Sequence, residues 1–196
     1  MKKVMIILTY VDDFVLIANK KEILDQFIHG LANVIKKFEF TDEGAIDKYL
    51  GIEVEQLKLN DFILRKPFLI RRILAELNVK IGYYNQRYVP VIGPLLSRDE
   101  LGAKQKHDWS YRSAIGMLGY LQNITQTDIS MAVHQCARFN ANPMLCHEKA
   151  VKYIARCLLS SQDKVIYYKP DTTRGLECCV GTDFAGGWSS GDHSNP

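Results

Sequence analysis

Two short apolar runs, Val4 to Leu8 and Phe14 to Ala18, enclose the segment Tyr10-Val11-Asp12-Asp13. Runs of this length are strand-sized and too short for a helix laid on a core, and polar residues between them mark a tight connection. The pattern predicts a buried β-hairpin with two carboxylates at its tip. Desolvating a carboxylate costs several kcal/mol unless something compensates it. A divalent cation bound by oxygen ligands is one compensation, and a solvated turn is the plain alternative.

Composition narrows the remaining possibilities. With 196 residues, 47% hydrophobic and 24% charged, disordered, collagenous and low-complexity chains are excluded, and one domain or two small ones could bury a core. The 25 basic residues against 22 acidic ones give a net charge of +3, too mild to identify a nucleic-acid partner by itself. Five cysteines, Cys136, Cys146, Cys157, Cys178 and Cys179, include no C-x-x-C pair, which favours reduced thiols in an intracellular protein. The apolar run after Lys2 and Lys3 is shorter than a signal sequence core and soon meets Asp12, so neither a signal peptide nor a membrane span is expected.

Downstream, Ile23, Leu24, Phe27, Ile28, Leu31, Val34, Ile35 and Phe38 recur at three and four and predict a helix over 21–38. Leu50 to Val54 alternates as a half-exposed strand should, and Asn60-Asp61 marks a turn. Pro67 opens a second helical pattern through Ile70, Ile73, Leu74 and Leu77, with Asn78 as its stop. Residues 82–100 carry Gly82, Pro90, Gly93 and Pro94 and read as a linker. Helices are then predicted over 111–121, 129–139 and 147–159, the last with Ala150, Val151, Ile154, Ala155 and Leu158 inward, followed by strand-like sequence at 165–168 and 176–180.

Basic residues cluster twice. Arg65, Lys66, Arg71 and Arg72 fall within eight residues that hold no acid, and Lys149, Lys152 and Arg156 share one helical face. Both stripes could meet phosphates, each contact on duplex DNA steepening the salt dependence by about 0.9; solvated helix faces are the bland alternative. His134 with Cys136, and Cys146 with His147, offer zinc ligands without finger spacing and on different helix faces, so core or surface roles are expected. Tyr83-Tyr84 and Tyr167-Tyr168 could stack on bases or divide between core and surface.

Several of these segments carry a resemblance. Tyr10-Val11-Asp12-Asp13 between apolar strands resembles motif C of reverse transcriptases, and Tyr49-Leu50-Gly51-Ile52-Glu53 is similar to the primer grip of copia-type LTR retrotransposons. Tyr111-Arg112-Ser113-Ala114-Ile115-Gly116 with Gly119-Tyr120-Leu121 resembles the Y-R-S-x-I-G-x-L-x-Y-L of the same polyproteins, and Thr125-Gln126-Thr127-Asp128-Ile129 their T-R-P-D-I, with Gln126 and Thr127 in place of Arg and Pro. Ala132-Val133, Arg138-Phe139, Asn142-Pro143 and His147-Glu148-Lys149-Ala150 follow in the family's order. Asp183-Phe184-Ala185-Gly186-Gly187-Trp188 is similar to the opening of the family's RNase H domain.

The resemblance implies an α+β chain: the C-terminal part of a right-hand polymerase palm over 1–60, thumb and linker over 61–100, a connection region over 101–174 and a truncated RNase H start over 175–196. It implies RNA-directed DNA synthesis with two magnesium ions held by three aspartates, of which Asp12 and Asp13 would be two. Tyr10 and Val11 would touch primer or incoming nucleotide, and Tyr49, Leu50 and Gly51 would position the primer end. The third aspartate and the fingers would lie upstream of these residues, so the chain alone is expected not to polymerise. RNase H chemistry is not expected either: in one register the first acidic position falls on Gly181, in another on Asp183, and the reaction needs about four carboxylates. Implied partners are a primed RNA or DNA template and the rest of the polyprotein, including fingers, integrase and complete RNase H. The cytoplasm, a retrotransposon particle or the nucleus would be the compartment. A non-catalytic nucleic-acid-binding remnant and an inert pseudogene product are the alternatives.

Overall fold

The computed structural model describes residues 3–34, 41–58, 61–80, 82, 86–91, 93–99, 101–104, 106 and 108–169. The expectations for residues 35–38, Tyr83-Tyr84, the strand-like segment 176–180 and Asp183 lie outside them. The chain divides into two compact units, Met1–Tyr49 and Leu50–Pro196. Among the described residues the fold is mixed α+β, with five α-helices and small antiparallel sheets.

In the first unit, β1 (Met5–Tyr10) and β2 (Asp13–Ala18) form the expected antiparallel hairpin, in register from Met5 opposite Ala18 to Tyr10 opposite Asp13. Val11 and Asp12 make the turn, and Val11 takes the left-handed conformation (φ 51°) that matches a tight reversal to the strand twist but is costly for a β-branched residue. Helix α1 (Lys21–Val34) packs on β2 with Ile23, Leu24, Phe27, Ile28 and Leu31 half-buried, the residues that the periodicity selects. The expected burial of the hairpin is not met. Ile6 is 53% exposed, Phe14 59% and Ile17 50%, and no described side chain of this unit is fully buried. Two strands and one helix cannot cover both faces of a ribbon, so the apolar runs remain half in water. A two-residue strand, β3 (Lys48–Tyr49), ends the unit.

The second unit begins with a turn rather than the expected strand: Leu50 (φ 51°) and Gly51 (φ 70°) are both left-handed, a geometry that no extended segment can contain. Strand β4 (Ile52–Lys58) follows and pairs antiparallel with β5 (Asp61–Arg65), which pairs in turn with β6 (Ile166–Tyr168). Asp61 is therefore a buried strand residue, its carboxylate accepting a hydrogen bond from the Tyr167 hydroxyl at 2.7 Å.

Helix α2 (Pro67–Glu76) starts at the proline, whose missing N–H would lack a helical partner there in any case. It stops in a Schellman closure: left-handed Asn78 (φ 52°) donates to the Ala75 carbonyl at 3.1 Å and Val79 to Leu74 at 2.9 Å. Its inward face is the predicted one, with Ile70, Ile73, Leu74 and Leu77 buried. Helix α3 (Tyr111–Ile124) is capped by the Ser110 hydroxyl, which accepts from the Ser113 amide. A 3-10 turn (Thr127–Ile129) leads into α4 (Ser130–Ala137), so the helix expected from Ile129 begins in a tighter turn. Helix α5 (Leu145–Ser160) buries Val151, Ile154, Ala155 and Leu158, with Ala150 half-buried. One hydrophobic cluster joins α2, α3, α4 and α5.

Candidate nucleic-acid interface

The hairpin turn sets the first group of candidate residues. Asp12 lies in the turn and Asp13 opens β2 opposite Tyr10; both carboxylates are exposed, with Tyr10 57% and Val11 78% exposed beside them. Carboxylate oxygens are suitable donors for a hard cation such as magnesium. In number they are insufficient: among the described residues no group of three His, Cys, Asp or Glu side chains converges on a metal position. A two-ion site is thus not completed among the described residues.

A concave site in the second unit has more structure. It is an open concavity of about 480 Å³ lined by Gly51, Lys66, Arg72, Ser113, Gly116 and Tyr120, with Phe68, Leu69 and Met117 supplying apolar wall. The start of β4, the start of α2 and the outer face of α3 meet here. Ser113, Gly116, Met117 and Tyr120 recur at three, one and three, which places them along one side of α3.

Lys66 holds the site together. Only 7% exposed, its ammonium donates to the Leu50 carbonyl at 2.9 Å and to the Tyr120 hydroxyl at 3.1 Å, and lies 4.2 Å from the centroid of the Tyr120 ring. The Tyr120 hydroxyl donates to the same Leu50 carbonyl at 3.2 Å. Left-handed Leu50 turns its carbonyl toward two donors, so the turn is secured by residues far along the chain. Gly51 is favoured by its positive φ, while a Cβ there would meet Lys66 Nζ at 3.4 Å, an ordinary contact.

The two basic stripes separate into engaged and available charges. Arg65 is paired with Glu53 at 3.3 Å and with Glu55, and Lys66 is buried as described, whereas Arg71 and Arg72 are exposed on α2. On α5, Lys149 is exposed and Arg156 half-buried, while Lys152 lies 3.8 Å from Glu148. Arg71, Arg72 and Lys149 are therefore the candidates whose side chains face solvent.

His147 and Glu148 turn out to be core fasteners. His147 Nδ1 accepts from the Met144 amide at 3.0 Å, which leaves the proton on Nε2 to donate to the Ser97 carbonyl at 3.0 Å, and the ring stacks on Phe139. Glu148, 1% exposed, accepts from the Lys106 amide at 3.1 Å. Cys136 is buried, and burial pushes its thiol up to about 12, while His134 is exposed on the other side of α4. Burial likewise raises the thiols of Cys146 and Cys157. Tyr167 is held by Asp61, whose hydrogen bond raises its phenol, and Tyr168 is 53% exposed. Sequence patterning missed Lys66 and Tyr120 as a pair because their partnership spans 54 positions; the one signal was that Lys66 lies in a basic stripe and Tyr120 in a recognised motif.

No family model matches the chain, and no solved structure matches it. Two curated proteins are similar. A protein named for the transposon Ty5-1 in Saccharomyces cerevisiae is 25% identical over 170 residues, 87% of this chain and 54% of that protein. The retrovirus-related Pol polyprotein from transposon TNT 1-94 of Nicotiana tabacum is 30% identical over 164 residues, 78% of this chain and 12% of the polyprotein. The chain thus spans about half of the first relative and a small part of the second. These similarities support a retrotransposon Pol-related protein. No helix among the described residues is long and apolar enough to cross a membrane.

Proposed function

We propose that the chain is a portion of an RNA-directed DNA polymerase of copia-type retrotransposon origin. Residues 1–60 would be palm, 61–100 thumb and linker, and 101–174 connection. The observation that carries the reading is the exposed Asp12-Asp13 pair on the turn of an apolar hairpin, within a chain similar to a Pol polyprotein. Asp12 and Asp13 would hold magnesium, which when bound supplies charge stabilisation for nucleotidyl transfer. Tyr10 and Val11, exposed next to them, would lie along primer or nucleotide, and Tyr49, Leu50 and Gly51 would position the primer end. Arg71, Arg72 and Lys149 would meet backbone phosphates of a primed template, and the remaining ligands would come from the rest of the polyprotein.

A second reading, a non-catalytic nucleic-acid-binding module, is favoured by the two-carboxylate count among the described residues. Fluorescence anisotropy with a labelled primer–template, with and without magnesium, separates the two. The polymerase reading expects magnesium to tighten binding by at least threefold in the wild type and not in the Asp12→Asn, Asp13→Asn double variant. Binding that is indifferent to both the ion and the substitutions would favour the second reading.

A further inference from the structure

Lys66 presents a buried ammonium whose charge has no carboxylate partner among the described residues. Its bonds to the Leu50 carbonyl and the Tyr120 hydroxyl, with the Tyr120 ring face, replace part of its hydration but contribute no negative charge. An ammonium has three N–H donors, and two oxygens account for two of them. This cation lines an open pocket, and among its described lining residues Arg72 has the one other ionic side chain. Ser113 adds a hydroxyl on the α3 side. The first turn of α2, which supplies Phe68 and Leu69 to the wall, carries no acidic residue and no side-chain cap, so the positive end of its dipole is not offset there.

The pocket is larger and more apolar than a phosphate alone requires. Its volume of about 480 Å³ is that of a site for a ligand of nucleotide size. Phe68, 69% exposed, and Met117 offer flat or polarizable surface beside Gly116, where an added Cβ would meet nothing within 4 Å. The missing side chain at position 116 leaves room on an exposed face of α3, where alanine would be the better helix former.

We propose that this pocket binds a nucleoside 5′-phosphate, free or at the end of a strand, with the phosphate between Lys66, Arg72 and Ser113 and the base against Phe68, Gly116 and Met117. The proposal rests on the reading of Arg72 as a phosphate-facing residue and adds Lys66 to it, so that part of a diffuse stripe becomes one site. Arg112 is the internal control, because it neighbours Ser113 on α3 and is exposed yet does not line the pocket.

The test is calorimetric titration of the 196-residue chain with AMP, adenosine and the 5′-phosphorylated dinucleotide pApA. AMP is expected to bind saturably and adenosine at least tenfold more weakly. Gly116→Leu, whose Cβ would meet nothing within 4 Å, and Arg72→Ala should each weaken AMP at least tenfold, while Arg112→Ala should change it less than twofold. Circular dichroism and thermal melts establish that each variant folds, and Gly116→Leu should melt no lower than wild type. Either order of affinity between pApA and AMP supports the pocket, tighter pApA assigning a strand end and tighter or equal AMP the free nucleotide. No AMP binding, equal binding of adenosine, an unaffected Gly116→Leu, or equal losses for Arg112→Ala and Arg72→Ala would overturn it. A chain that binds primer–template but not AMP contradicts the pocket alone; one that binds AMP but no primer–template contradicts the nucleic-acid reading alone.

Discussion

Cys136 and Tyr111 meet inside the helical core, where the Tyr111 hydroxyl donates to the Cys136 carbonyl at 2.9 Å. Burial raises both groups, the thiol from 9.0 to about 12 and the phenol well above its usual range. The unfolded chain ionises at the ordinary values, so these groups contribute full stability below about pH 9 and progressively less as pH rises toward the folded values. The fall begins near pH 9 with the thiol and near pH 10 with the phenol. Urea denaturation from pH 8 to 11 is expected to show this fall, with a smaller slope in Cys136→Ala. A wild-type midpoint independent of pH over that range would contradict the assignment. At this scale the sequence concealed most. Lys66 looked like one of four surface cations, and only a contact with Tyr120 on another helix shows it to be buried; no local pattern encodes a partner 54 residues away.

At the scale of elements, periodicity carried further. The heptad-like spacing of α2 selected Ile70, Ile73, Leu74 and Leu77, and all are buried, because a helix with a polar outer face can bury only that stripe. Strands were less legible. β5, Asp61–Arg65, begins at a residue that looked like a turn, since a short strand with an aspartate at its start differs little from a loop until its partner β6 is known. The left-handed turn at Leu50, read as the start of a strand, escaped notice for a related reason: nothing in leucine signals a positive φ, whereas Gly51 does. Hairpin formation was legible and its burial was not, because covering a face depends on elements elsewhere. Substitution separates the two classes of apolar residue. Ile73→Ala, at a site with 0% exposure, should cost about 2–5 kcal/mol, whereas Ile17→Ala, at 50% exposure, should cost about 0.5 kcal/mol or less in chemical denaturation. Equal losses would contradict the burial described for the hairpin.

For the whole molecule, the described burial is divided unequally. The second unit holds all of the fully buried side chains described, and the first holds the exposed aspartates. With this division the exposed aspartates sit on a weakly covered hairpin and the cationic pocket on a packed helical body. The central claim is that this body engages nucleic acid through solvent-facing cations, and the salt dependence of primer–template binding tests it most directly. Two to four phosphate contacts from Arg71, Arg72, Lys149 and the Lys66 pocket predict a slope of about −2 to −4 in log K against log salt on duplex DNA. The Arg71→Ala, Arg72→Ala double variant should lose about 2 of that slope. A slope near zero, or no binding at low salt, would contradict the account.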